Sequence, residues 1–147
     1  MTEARKEQRN HAYIKDKYED SLEVQKYPTA AAVVTALNVL IASGFTIQGF
    51  VSPKSFLGPE AVVTDAAVIF SMYAVARIVP LALVTLGVIY KRSRPGLFVL
   101  GLVAGLIQLI DAPIGIYEHD AGKSVGPLVL GILQFAVLYK ARKSSQL

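Results

Sequence analysis

Two ionisable side chains lie inside long apolar runs of this 147-residue chain. Arg77 lies in the run SMYAVARIVPLALV, and Asp111 lies in GLIQLIDAPIGIYEHD. A guanidinium can orient a carboxylate or stabilise a developing oxyanion, and a carboxyl group can donate or accept a proton. The two residues therefore predict acid–base chemistry, provided that the fold brings them together.

Further polar side chains occur at helical spacing around these two. Tyr73 precedes Arg77 by four residues and Gln108 precedes Asp111 by three, so each shares a helix face with its ionisable neighbour. Every other apolar run carries an amide, which needs a hydrogen-bond partner away from water. We expect these groups to line one substrate-binding pocket, with a histidine at its mouth that can shuttle protons. They are Tyr73, Gln108, Gln134, Asn38, Gln48 and His119.

Four apolar segments must position these side chains. A membrane-crossing helix needs about 20 mostly apolar residues, and four stretches come near that length: 29–51, 66–90, 96–117 and 125–139. The fourth is short unless it extends into its flanking loops. We therefore predict an all-α fold, an integral membrane four-helix bundle. The sequence does not indicate which membrane holds it.

The basic residues are distributed unevenly between the loops. Twelve of the fifteen fall in the first 28 residues, in the turn KRSRP and in the tail, whereas the other two loops have one each, Lys54 and Lys123. The positive-inside rule then predicts that both termini are cytoplasmic. The chain divides into a charged cytosolic segment at 1–28, the bundle at 29–140 and a basic cytosolic tail at 141–147.

Composition excludes several classes of function. The chain has no cysteine, which excludes disulfides, thiolate metal sites and iron–sulfur clusters carried by the chain itself. Its two histidines, His11 and His119, are too few for a multi-histidine iron centre. No basic stripe is interleaved with aromatics, so no nucleic-acid partner is expected. We expect no cofactor and no metal.

Helix geometry gives approximate depths for the two ionisable residues. Arg77 lies eleven residues from the outer end of the second segment, roughly 16 Å deep, and Asp111 lies six residues from the outer end of the third, roughly 9 Å deep. A long arginine side chain spans such a difference. Because an unpaired arginine at mid-membrane costs about 3 kcal/mol, we expect an Arg77–Asp111 ion pair.

Small residues and prolines predict local helix geometry. The sequence GLVAG, with Gly101 and Gly105, is a small-xxx-small pattern that permits close approach of a neighbouring helix. Pro80 and Pro113 are expected to bend their helices and to free backbone carbonyls near the polar groups.

The segments GFVSPKSFLG, YAVARIVPLALVTLGV, LGLVAGLIQLIDAPIG and GKSVGPLVLGILQFAVL together resemble the DoxX-like superfamily of small four-helix membrane proteins, and more narrowly a branch of unknown function. The resemblance covers about residues 30–140. It rests on an arginine in the second helix (Arg77), an aspartate late in the third (Asp111) and the Pro–Gly loop after the first. It implies a four-helix bundle but little about activity, because members have varied metabolic or accessory roles.

Three functions stay open. The first is a cofactor-independent membrane enzyme that isomerises, cyclises or hydrolytically opens a lipophilic small molecule in a biosynthetic pathway, with Asp111 as acid or base and Arg77 beside it. The second is a non-catalytic accessory subunit that holds a partner membrane enzyme and docks through residues 1–28. The third is a small transporter, for which a homo-oligomer fits. In a fourth, purely structural reading, the polar groups only lock the helices in register.

Overall fold

The computed structural model describes residues 7, 11, 13–15, 27–56 and 62–143. Within the first 26 residues, the described positions Glu7, His11 and 13–15 are helical. The docking role expected of residues 1–28 falls largely outside the described residues, as does the end of the basic tail.

Four long helices account for most of the described residues between 27 and 143. They are α1 (Thr29–Val51), α2 (Asp65–Tyr90), α3 (Arg94–Tyr117) and α4 (Ala121–Lys143), with a short 3₁₀ turn at Pro53–Phe56 after α1. All four are long and apolar enough to cross a membrane. The predicted all-α integral membrane four-helix bundle is confirmed, and α4 extends beyond the predicted 125–139 at both ends. The side of the membrane on which the termini lie stays a prediction.

The helices end at polar capping side chains and at residues whose backbone has the left-handed conformation. The Thr64 hydroxyl accepts a hydrogen bond from the Ala67 amide at 3.2 Å and caps α2. The Asp120 carboxylate caps α4, because it accepts from the amides of Gly122 at 2.9 Å and Lys123 at 3.1 Å. Arg92 and His119, with φ of 50° and 56°, reverse the chain in the tight turns between α2 and α3 and between α3 and α4.

The bundle is closed at the end where α1 and α3 begin and α2 and α4 end. Ala31, Ala32, Leu97 and Leu138 are buried there in one cluster, which we call the closed end. Tyr27 packs against it, and its hydroxyl donates to the Ile89 carbonyl at 3.5 Å. Burial raises the pKa of Tyr27, an effect that the nearby Arg92 guanidinium opposes. The closed end therefore ties all four helices together.

The helices do not pack equally tightly. The most extensive interface joins α3 to α4, the next joins α1 to α2, and α1 also contacts both α3 and α4. The α2–α3 interface is the least extensive of these. α2 buries only Ala82 and Thr85 along its whole length. Consequently α2 is held mainly by α1 at one side of an α1–α3–α4 core.

Glycines account for the tight α3–α4 interface. A Cβ on Gly101 would lie 2.8 Å from Gln134 Nε2, and one on Gly105 would lie 3.1 Å from the Phe135 ring. A Cβ on Gly131 of α4 would lie 3.0 Å from Leu109. The expectation that GLVAG marks a close helix contact is confirmed, and its partner is α4.

The closest approach of α3 to α4 joins backbone to backbone. A Cβ on Gly115 would overlap the carbonyl of Lys123 and the amide nitrogen of Ser124. The glycine hydrogen in that position points at the Lys123 carbonyl, a geometry typical of Cα–H···O contacts. That carbonyl lacks its usual helical donor, because residue i+4 is Pro127, which has no N–H. The Gly115 Cα–H therefore contacts the carbonyl that Pro127 leaves without a helical donor.

We expect Gly115→Ala to destabilise the protein by roughly 1–3 kcal/mol, because the added methyl group forces α3 away from α4. The measurement is the free energy of unfolding, or the midpoint of thermal unfolding, of purified protein in detergent. Gly44→Ala is the matched control, since a Cβ there has no neighbour within 4 Å. Equal stability of the two variants would contradict the backbone contact.

Candidate functional site

A cavity of about 760 Å³ occupies the half of the bundle away from the closed end. All four helices line it: the second half of α1, the middle of α2, the second half of α3 and the first turns of α4. Most of the lining is apolar. The charged and amide side chains among the lining residues are Arg77, Gln108, Asp111, Glu118 and Lys123.

A small apolar cluster separates the cavity from the closed end. Val39 of α1, Ala82 of α2 and Ala104 of α3 are buried against one another. About one turn beyond this cluster, towards the 118–120 loop, Ala42, Ile78 and Ile107 line the cavity. We call the Val39–Ala82–Ala104 cluster the floor, because the helices meet there and separate beyond it.

Arg77 lines the cavity and is also exposed at the surface of α2. Its guanidinium carbon lies 5.9 Å from the centroid of the Tyr73 ring, one turn earlier on the same helix. Such a cation–π contact contributes about 0.5–1 kcal/mol at an exposed site. The expected ion pair with Asp111 is not formed, since the ion pairs between described residues do not include one that joins these two. That part of the prediction is wrong.

Asp111 lines the same cavity from α3 and is half-buried. It lies about one helical turn nearer the loop end than Arg77, and the guanidinium leans towards Tyr73. The cavity therefore holds both groups without an ion pair between them. A guest molecule can contact the carboxylate and the guanidinium at once.

Gln108 is the third polar group inside the cavity. It lines the cavity from α3, one turn from Asp111, and is 4% exposed. In the part of the chain that the structure describes, its amide forms no hydrogen bond to protein. An amide with both donor and acceptor groups thus faces the same space as Arg77 and Asp111.

A separate buried network joins α1 to α4 in the closed half of the bundle. Asn38 Nδ2 donates to Gln134 Oε1 at 2.8 Å, and Gln134 Nε2 donates to Thr35 Oγ1 at 2.8 Å. The Thr35 hydroxyl donates in turn to the Ala31 carbonyl at 2.7 Å. Asn38, Gln134 and Thr35 are each at most 1% exposed. Asn38 Oδ1 is buried without a hydrogen-bond partner among the described residues.

The structure therefore divides the predicted site residues. It places Arg77, Gln108 and Asp111 on the cavity, and Asn38 and Gln134 in the buried network, which does not line it. Tyr73 lies beside Arg77 at the surface of α2, and Gln48 and His119 are exposed; none of the three lines the cavity. The cavity geometry does not support a substrate-binding role for five of the predicted residues, and that role stays a prediction for them. They are Asn38, Gln134, Tyr73, Gln48 and His119.

The loop between α3 and α4, where the sequence places Glu118, His119 and Asp120, brings charged side chains to the mouth of the cavity, and of these three only Glu118 lines it. The Lys123 ammonium forms ion pairs with Glu118 and, at 3.9 Å, with Asp120, across the turn from α3 to α4. The i, i+5 spacing of Glu118 and Lys123 around a helix start is the sequence signal for this arrangement. No group of three or more potential metal-ligating side chains occurs within the described ranges.

Comparison of the chain with protein-family models, with curated protein sequences and with solved structures finds no match.

We expect the Asn38–Gln134 hydrogen bond to stabilise the bundle. A double-mutant cycle with Asn38→Leu and Gln134→Leu should give a coupling energy of about 0.6–1.7 kcal/mol, the range for hydrogen bonds between membrane helices. Unfolding of purified protein in detergent measures it. Gln48→Leu, an exposed amide on the same helix, is the control and should leave stability nearly unchanged. Zero coupling would contradict the network.

Proposed function

We propose that this multi-pass membrane protein binds a lipophilic small molecule in its cavity and performs cofactor-independent acid–base chemistry on it. Asp111 donates or accepts the proton, and Arg77 stabilises negative charge that develops on an oxygen of the substrate. The observation that carries this proposal is that Arg77, Gln108 and Asp111 line one cavity without an ion pair between the two charges.

The dimensions of the cavity support a small-molecule ligand. Its volume of about 760 Å³ falls within the range of roughly 300–1,000 Å³ that ligand pockets occupy. Ligand pockets are also mostly apolar with a few convergent polar groups. An apolar lining with one guanidinium, one carboxyl group and one amide therefore suits a lipophilic molecule with one oxygen-bearing polar end.

The placement of the polar groups suits proton transfer to or from such a molecule. For an isomerisation, Asp111 would remove a proton from a carbon next to a carbonyl group and return it to another carbon, while Arg77 and Gln108 donate hydrogen bonds to the enolate oxygen. For hydrolytic ring opening, Asp111 would protonate the ring oxygen as its carbon–oxygen bond breaks, while a water molecule bonds to that carbon and then returns a proton to Asp111. Cyclisation uses the same two roles.

Proton-coupled transport is a second candidate, favoured by two observations. A transporter of this kind relies on a membrane carboxylate that can load and release a proton, and Asp111 has no ion-pair partner among the described residues. The cavity is also closed at the floor and lies towards the other end of the bundle, as one state of an alternating-access cycle would be.

Membership of the DoxX-like superfamily also stays a proposal. It is supported by the four-helix bundle and by the presence of Arg77 and Asp111, the two residues of the resemblance, at one cavity. The accessory role through residues 1–28 concerns a segment that lies mostly outside the described residues.

We expect Asp111→Asn and Arg77→Gln each to lower substrate conversion by about 10²–10⁴-fold while folded protein accumulates normally. The substrate is first identified by comparing the lipid extracts of cells with and without the gene, and conversion is then measured with purified protein in detergent. Asp65→Asn, a carboxylate at the start of α2 that does not line the cavity, is the matched control.

Two other outcomes would contradict the enzyme. Loss of folded protein in both variants would show that the polar residues lock the helices. Movement of the compound across sealed vesicles without its conversion in detergent would show transport, with the same dependence on Asp111.

A further inference from the structure

We propose that the cavity is loaded sideways from the bilayer, through an opening between α2 and α3, by a single-chain amphiphile whose carboxylate head binds Arg77. This inference rests on the proposed function, because it names the class of molecule that the cavity takes and the route by which it enters.

The opening follows from the way α2 is attached. Near the α2–α3 turn the two helices touch: a Cβ on Gly96 would lie 2.8 Å from Val88 Cγ1. At the floor, Ala82 of α2 and Ala104 of α3 belong to one buried cluster with Val39 of α1. Continuing this antiparallel register places Arg77 opposite Ile107, and at that level both residues line the cavity. Beyond the floor, therefore, the cavity lies between α2 and α3.

Arg77 shows that the cavity reaches the outer surface of the bundle at this level. Its side chain is exposed and yet lines the cavity. The Tyr73 ring beneath its guanidinium is 57% exposed and lies outside the lining. Both residues are well inside the apolar helix α2, so the surface that they share faces lipid. Arg77 and Tyr73 thus form the rim of a lateral opening.

The charge at this rim selects the ligand head. A guanidinium in a membrane needs an anionic or strongly polar partner, and within the described residues Arg77 has only the Tyr73 ring. A carboxylate matches the fork of guanidinium donors with two parallel hydrogen bonds. An amphiphile whose head enters this opening would place its carboxylate against Arg77 and its chain between the apolar walls of the cavity.

The volume limits the ligand to one chain. A cavity of about 760 Å³ has the size of a site for one drug-sized molecule, whereas a phospholipid with two acyl chains is larger than this class. The polar groups inside, Gln108 and Asp111, then meet the part of the ligand nearest its head. This is where the proposed acid–base step would occur.

The chain allows a direct test because it has neither tryptophan nor cysteine. Leu81→Trp places a single fluorophore in the cavity wall beside the floor, at a position that is not exposed at the bundle surface, and dibromostearic acid or dibromostearyl alcohol in lipid nanodiscs serves as the quenching probe. In this background, Tyr73→Cys introduces a single cysteine at the rim, which is labelled with a bulky maleimide. Leu83→Cys, exposed on the same helix but away from the cavity, carries the same label as the control.

A blocked entrance alters rates without altering affinity. We expect the label at position 73 to slow the approach to the quenching plateau several-fold with little change in the plateau, and the label at position 83 to alter neither. We expect stearic acid to quench at lower concentration than the alcohol, and Arg77→Gln to abolish that preference.

Each failure has a distinct meaning. Quenching that is equally fast with the label at position 73 overturns the lateral route, and an acid preference that survives Arg77→Gln overturns the head-group assignment. In both cases the proposed function stands, because the cavity still binds a lipophilic molecule. Absence of quenching by either probe overturns this inference and the proposed function together.

Discussion

The close approach of α3 to α4 determines the rest of the structure. Gly101, Gly105 and Gly115 bring α3 so near to α4 that side-chain and backbone atoms of α4 occupy the places of their missing Cβ atoms. Because van der Waals packing and interhelical hydrogen bonds, rather than the hydrophobic effect, hold helices together in a membrane, such a seam is a strong constraint. With α3 and α4 joined along their length, α1 and α2 must cover the remaining side.

The cavity is a consequence of that arrangement. α1 contacts every other helix and carries Asn38, which donates to Gln134 of α4 across the closed half. α2, by contrast, is held mainly by α1, and its interface with α3 is far less extensive. The helices separate beyond the floor, and the space left between them holds Arg77 and Asp111. The bundle therefore combines a rigid closed half with an open half whose walls carry the chemically competent groups.

The absence of an Arg77–Asp111 ion pair changes what these residues can do. An arginine paired with an aspartate would neutralise it and occupy the lone pairs that a proton transfer needs. Separated across a cavity, each group keeps its own capacity: the guanidinium to bind an anion or oxyanion, and the carboxyl group to exchange a proton. A role confined to locking the helices is better served by Asn38, Gln134 and Thr35, which satisfy one another in the closed half.

Sequence patterns predicted the helices, a close helix contact at GLVAG without its partner, and a shared pocket for Arg77, Gln108 and Asp111. They could not predict which polar groups pair, since helical spacing fixes the face of a helix but not the rotation of each helix about its axis. Asn38 and Gln134 each lie nine residues from the closed end of their helices, but the predicted end of the fourth segment at residue 139 concealed this match. Gln48 lies near the end of α1, where its amide reaches the surface.

The central claim is that the side chains at positions 77 and 111 face one cavity across a gap. Chemical cross-linking of Arg77→Cys with Asp111→Cys in native membranes tests it most directly, with Leu83→Cys and Asp111→Cys as the comparison pair. The account predicts that a flexible bifunctional thiol reagent joins positions 77 and 111, that direct oxidation joins them poorly, and that positions 83 and 111 do not react together. Efficient cross-linking of 83 with 111, without that of 77 with 111, would contradict it.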